Sequence, residues 1–139
     1  MRMTTKKPKV LVIEDDEIIS YILEFMLTKE DFDVEIINDG QSALNHIVSQ
    51  TENTPADLPG VILLDVMLPY VNGHQLLSEI RSSETWRDIP VLMLTSKALE
   101  SNIAQGLAAG ASDYIVKPFT PTDVIERIRK YLPADTPVS

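Results

Sequence analysis

The sequence predicts an α/β domain with five parallel strands. Two observations carry this. Five short apolar runs recur along the chain: KVLVIE (9–14), DVEII (33–37), VILLDV (61–66), PVLMLT (90–95) and DYIVK (113–117). Each run is followed by apolar residues at helical spacing. Strands alternating with helical patterns read as βαβ units on a parallel sheet.

Each element has its own signal. The first run leads into Ile18, Ile19, Ile22, Leu23, Phe25, Met26 and Leu27, a helical pattern. The second stops at Asp39-Gly40, a break, and Ala43, Leu44, Ile47 and Val48 follow at helical spacing. The third, VILLDV, is nearly continuous Val, Ile and Leu, as a strand buried on both faces requires. Asn72-Gly73 separates it from Leu76, Leu77 and Ile80. The fourth leads to Ile103, Leu107 and Ala108, then to Gly110, where a left-handed C-cap residue belongs. The fifth leads to Val124, Ile125, Ile128 and Leu132, a helix capped by Thr120 or Thr122 with Pro121 near its first turn. SQTENTPADLPG (49–60) is the longest polar stretch and reads as a loop. One domain over residues 8–132 is expected, with 1–7 and 133–139 as flexible termini.

Composition narrows the function. The 139 residues suit one domain with an adequate core. Apolar content of 44% and charged content of 24% fit a soluble globular protein. No apolar run approaches the roughly 18 residues that span a membrane. MRMTTKKPK is basic, but no long apolar stretch follows it, so no signal peptide is expected. The chain has no cysteine, which excludes disulfides and thiolate metal sites and fits a cytoplasmic protein. A net charge of −9 repels phosphates, so no direct nucleic-acid contact and no membrane are expected as partners.

In an open α/β sheet, ligands bind beyond the carboxyl ends of the strands. Strand one ends in Glu14, Asp15 and Asp16, strand three in Asp65, strand four in Thr95 and Ser96, and strand five in Lys117 before Pro118. Asp65 closes the most apolar run in the chain. A carboxylate there either emerges at the surface or has its charge compensated, because a buried unpaired charge is costly. Clustered acids need a cation, and an all-oxygen site with few protein ligands suits Mg²⁺. Lys117 can pair with a carboxylate or a phosphoryl oxygen, and Thr95 can donate a hydrogen bond to the latter. An aspartate can itself be a nucleophile, forming an aspartyl phosphate. Plainer readings exist for each residue alone. EDDE (14–17) can cap the first helix, Lys117 can be a solvated cation, and Thr95 can simply end a strand. Their convergence on one sheet edge from four βα units favours a site.

These pieces resemble the receiver domain of bacterial two-component response regulators. The resemblance rests on VLVIEDDE (10–17), VILLDVMLPYVNG (61–73), IPVLMLTS (89–96) and DYIVKPF (113–119), in that order and spacing. It implies a doubly wound, flavodoxin-like (βα)5 fold with strand order 2-1-3-4-5. By the same resemblance, Asp65 is the phosphoacceptor, taking its phosphoryl group from a sensor histidine kinase or a histidine phosphotransfer protein. Glu14 and Asp15 match the acidic pair that binds Mg²⁺ with Asp65. Asp15 would be the direct ligand and Glu14 would act largely through water. Met67 matches the position whose backbone carbonyl completes that site. Thr95, Ser96 and Lys117 fall at the phosphoryl-binding positions. Thr95 and Tyr114 match the switch pair, and Lys117-Pro118 matches a bond usually cis. The surface expected to respond spans the fourth helical pattern, the fifth strand and the last helix, residues about 97 to 131. A downstream effector protein or domain would read it.

The chain departs from the family pattern in places. The acidic pair is Glu-Asp rather than Asp-Asp, and the loop 49–60 is long. KEDFDV stands where many relatives carry a glycine, so Asp31 is expected to take the left-handed position. The final segment is most similar to the winged-helix transcription-factor class, yet ESNIAQGLAAG lacks most charges which that class uses for dimer contacts.

On this reading the domain is a signalling switch rather than a metabolic enzyme, catalysing only its own phosphorylation and dephosphorylation. The alternatives are a Mg²⁺-dependent aspartyl-nucleophile phosphatase and a receiver-like interaction module that is not phosphorylated. The phosphatase reading needs a second acid two residues after the nucleophile, where Met67 stands. A dinucleotide-binding domain fails because no GxGxxG follows strand one.

Overall fold

The computed structural model describes residues 7–49, 58–96 and 109–132. Five strands, β1 (Lys9–Ile13), β2 (Asp33–Ile37), β3 (Val61–Asp65), β4 (Val91–Thr95) and β5 (Asp113–Val116), form one parallel sheet in the expected order β2-β1-β3-β4-β5. Among the described residues the helices are α1 (Glu17–Lys29), α2 (Gly40–Ser49), α3 (Gly73–Ser82) and α4 (Pro121–Tyr131). Each strand lies within one residue of its sequence-based bounds. The fourth helical pattern (97–108), most of the loop 49–60 and nearly all of both termini lie outside the described residues.

The sheet is covered on both sides. One apolar cluster joins Leu11, Ile13, Ile62, Leu64 and Met93 to Ala43 and Ile47 of α2 and Leu76, Leu77 and Ile80 of α3. The other joins Val10, Val12, Leu63 and Leu94 to Leu23, Met26 and Leu27 of α1 and Val124 and Ile128 of α4. Every residue of β3 and β4 is buried, which is why their sequences do not alternate. Sealing apolar area contributes about 25 cal/mol per Å², and burial on two faces makes the central strands the most firmly held part of the sheet.

The α1 pattern is only partly a core pattern. Leu23, Met26 and Leu27 are buried, but Ile18, Tyr21, Ile22 and Phe25 form an exposed stripe on the outer face. The buried face takes Ser20 in place of a fourth apolar residue.

The helix ends follow their local chemistry. Asp31 adopts φ 67° and closes α1: its N–H donates to the Thr28 carbonyl, and the Phe32 N–H donates to Leu27. This is a Schellman motif with aspartate in the glycine position. Asn72 caps α3 reciprocally with Gln75, and Thr120 caps α4 reciprocally with Asp123, with Pro121 in the first turn. Gly110 has φ 111°, so a left-handed residue does stand where the sequence requires one.

Candidate functional site

Parallel strands deliver their last residues to one edge, and here the sheet register decides who meets whom. Asp65 pairs with Leu94, and Thr95 pairs with Val116. Thr95 therefore stands one step beyond Asp65, and the Lys117 N–H donates to its carbonyl at 2.7 Å. Glu14 leaves β1 beside them, its N–H donating to Ile37 of β2 at 3.1 Å.

The edge is largely sealed. Glu14 is 0% exposed, Asp65 4% and Thr95 4%, whereas Asp15 is open to solvent. Oxygens of Glu14, Asp15 and Asp65 lie within 4.8 Å of one another. Lys117 Nζ stands 2.9 Å from Glu14 Oε1 and 3.4 Å from Asp65 Oδ2. Two backbone donors also reach in: Asp16 N–H to Glu14 Oε2 and Met67 N–H to Asp65 Oδ1, each at 3.1 Å. The EDDE run thus divides its labour. Asp16 caps α1 by accepting from the Ile18 and Ile19 amides, while Glu14 turns inward and Asp15 faces the cleft mouth. The helix-terminus reading holds for Asp16 and for Glu17 in the first turn, and fails for Glu14 and Asp15.

Among the described residues, three carboxylates face one ammonium here. Burial, reinforced by Asp65, pushes the Glu14 carboxyl up to about 7 despite the opposing pull of Lys117. Burial draws the Lys117 ammonium down, but Glu14 and Asp65 outweigh it and its pKa is raised. Glu14 Oε1, though in ionic contact with Lys117, has no aligned hydrogen-bond donor. A buried carboxylate oxygen without an aligned donor, beside two further carboxylates, fits a hard divalent cation with oxygen ligands.

The other sequence-derived candidates fall around this edge. Ser96 follows Thr95 and is exposed. Met67 exposes its side chain, 72% accessible, beside Asp65. The Lys117–Pro118 peptide is cis. Tyr114 is buried, 6% exposed, with its hydroxyl 3.5 Å from His74 Nε2 and its carbonyl accepting from Arg127. Its ring packs with the α2–α3 side of the core.

Three neighbours escaped the sequence reading. Ser20 and Asn38 both donate to the Glu14 carbonyl, and His74 meets Tyr114. Ser20 left one trace, a polar residue on the face shared by Leu23 and Leu27. Asn38 and His74 left none.

The family model for the response regulator receiver domain matches residues 10–129. This chain belongs to the response regulator receiver domain family. It is a receiver module of two-component signalling, with the doubly wound fold to match. The phosphate regulon transcriptional regulatory protein PhoB of Rhizobium meliloti is 36% identical over 125 residues, covering 90% of this chain and 52% of the relative. The chain spans about half the length of the curated relatives it matches. Among solved structures, the receiver domain of sensor histidine kinase PA1611 from Pseudomonas aeruginosa superposes with TM-score 0.77 at 28% identity, covering 90% of this chain and 97% of that one. That structure holds a magnesium ion in its active-site cleft. Chemotaxis protein CheY4 of Vibrio cholerae gives TM-score 0.80 at 27% identity, covering 91% and 99%. Among the described residues no helix is long and apolar enough to cross a membrane.

Proposed function

We propose that this receiver domain accepts a phosphoryl group on Asp65 from the phosphohistidine of a sensor histidine kinase or a histidine phosphotransfer protein. The observation that carries this reading is the shared lysine: Lys117 reaches both Glu14 and Asp65 at the mouth of a nearly closed acidic site. Glu14, Asp15, Asp65 and the Met67 carbonyl would hold Mg²⁺, which when bound offsets the carboxylate charge and polarises a phosphoryl oxygen. Asp65 attacks phosphorus through a carboxylate oxygen, the P–N bond breaks, and the imidazole leaves with its electron pair. Buried at the end of β3, Asp65 is pre-positioned for that in-line approach, and positioning is most of what phosphoryl transfer needs. Lys117 then follows the new charge, and Thr95 and Ser96 lie on the β4 side to donate to its oxygens.

The output is a change of surface. The acyl phosphate adds negative charge comparable to that of other phosphorylated side chains, about −1.5 to −2. Thr95 drawn toward it leaves Tyr114 held in the inward position it already occupies. The signal is thus a locked Tyr114 and a stabilised surface over residues about 97 to 131, read by a downstream effector protein or domain. The phosphatase alternative gains nothing, since Met67, with no acid–base chemistry, stands two residues after Asp65.

Intact-mass analysis with Mg²⁺ and acetyl phosphate tests the chemistry. One phosphoryl adduct should form on the wild type and none on Asp65→Asn. An adduct persisting in that variant would place the acceptor elsewhere.

A further inference from the structure

The Glu14–Asp15 peptide lies between β1 and α1, where neither a sheet ladder nor a helix supplies hydrogen bonds. Its carbonyl nevertheless has two donors: Ser20 Oγ of α1 at 3.1 Å and Asn38 Nδ2, just past β2, also at 3.1 Å. Asn38 Nδ2 also lies 3.4 Å from Ser20 Oγ, so the three groups form one bracket. Ser20 is only 6% exposed. A serine inside a helix is a poorer helix former than alanine, and its hydroxyl there usually bonds back within its own helix. This one reaches six residues back, outside the helix, to a single carbonyl.

From this geometry we infer that Ser20 and Asn38 are positioning residues for the acidic pair, setting Glu14 inward and Asp15 toward Asp65 for metal binding. The peptide bond is planar. Holding the Glu14 carbonyl on the β2 side therefore fixes the direction of the Asp15 N–H and the start of the Asp15 side chain. The Glu14 N–H is held by Ile37, so Glu14 is clamped on both sides of its Cα, and its side chain can stay against Lys117. Through Asn38 the β2 edge, which adds no carboxylate to the site, helps to build it. Without the bracket the peptide would be free to rotate, and ordering the carboxylates would fall to the metal. Second-layer groups of this kind typically alter metal affinity by roughly 10–100-fold.

The inference rests on the Mg²⁺ reading above, and its test separates the two. Mg²⁺ alone is titrated calorimetrically into the full chain and its variants. Asn38→Ala, at an exposed position, and Ser20→Ala should each weaken binding roughly tenfold. The pair together should lose less than the sum, because both act on one carbonyl. Ser20→Thr, which keeps the hydroxyl, should restore most of the affinity. At saturating Mg²⁺ the Asn38→Ala variant should take up phosphoryl from acetyl phosphate at close to the wild-type rate, which a merely damaged fold would not do. Wild-type affinity in Asn38→Ala and Ser20→Ala, with affinity lost in Asp15→Asn, would overturn the positioning role and leave the metal site standing. Failure of saturating Mg²⁺ to restore uptake in Asn38→Ala would also overturn it. Wild type binding no Mg²⁺ would bring down the metal reading and this inference together.

Discussion

Glu14 and Lys117 form an ion pair at 2.9 Å in which the glutamate side chain is wholly sealed from solvent and the lysine side chain is 16% exposed. The pair is closer than the 3.4 Å contact between Lys117 and the candidate acceptor Asp65. Lys117 is thus anchored on Glu14 with Asp65 within reach, an arrangement that lets the ammonium follow new charge on Asp65.

The pair makes the metal-free protein sensitive to pH. The Glu14 carboxyl is held at about 7 against an ordinary 4.5. Between those values the folded chain binds more protons than the unfolded one, so stability falls as pH rises. The contribution is complete below about 4.5 and gone once the pH has passed through about 7. Glu14→Gln, which cannot ionise, should remove this slope. Without Mg²⁺ the variant should gain on the order of 1–2 kcal/mol relative to wild type between pH 4.5 and 8, after allowance for screening. Urea unfolding at the two pH values measures the difference. An identical pH profile in the two proteins would refute the buried-charge account.

Tyr114, already buried, should respond to phosphorylation by losing motion. Adding Mg²⁺ and beryllofluoride, a phosphoryl mimic, should narrow the Tyr114 ring signals in NMR spectra and shift resonances over residues about 97 to 131. Burial also raises the Tyr114 phenol pKa above its usual value, so its ionisation should come later than that of a free tyrosine as pH rises. Changes confined to the immediate neighbours of Asp65 would sink the switch.

Gly73 is required by space rather than by backbone angle. A Cβ there would lie 2.4 Å from the Asp65 carbonyl oxygen and 2.8 Å from Val66 Cα, both of them backbone atoms. Gly73→Ala should cost about 1–3 kcal/mol as an overpacked site and slow phosphoryl uptake by displacing Asp65. Thermal melting with parallel acetyl phosphate labelling tests both effects. A variant with unchanged melting temperature would show that the connection yields easily.

Tyr70 is strained with little in return. It adopts φ 68° at 96% exposure, and the Val71 N–H closes a tight turn around it onto the Pro69 carbonyl at 2.7 Å. A left-handed conformation costs a residue of this kind roughly 1–2 kcal/mol. Tyr70→Gly relieves that cost but loosens the unfolded chain, and a net gain of about 0.5 kcal/mol in urea unfolding is expected. A destabilised variant would mean that the ring makes contacts worth more than the strain.

The sequence alone determined the elements, their ends and the edge where chemistry gathers. Helical and strand periods, the Asn72-Gly73 break, a threonine cap at Thr120 or Thr122, and Asp31 in a glycine's place act over a few residues, so they can be read locally. The same holds for the expectation that Glu14, Asp15, Asp65, Thr95 and Lys117 share one edge, because parallel strands carry their carboxyl ends to the same side. The tertiary structure decided the pairings. That Asp16 rather than its neighbours caps α1 depends on how β1 hands over to the helix. That half the apolar residues of α1 face outward depends on which faces the sheet and α4 cover. The Ser20–Asn38 bracket, the choice of Glu14 as the nearer partner of Lys117, and the burial of Tyr114 against His74 join residues 18 to 103 positions apart in sequence or reach out of their own element. Such distances are set by sheet register and by packing density, which is cooperative across the core and leaves no local pattern in the chain.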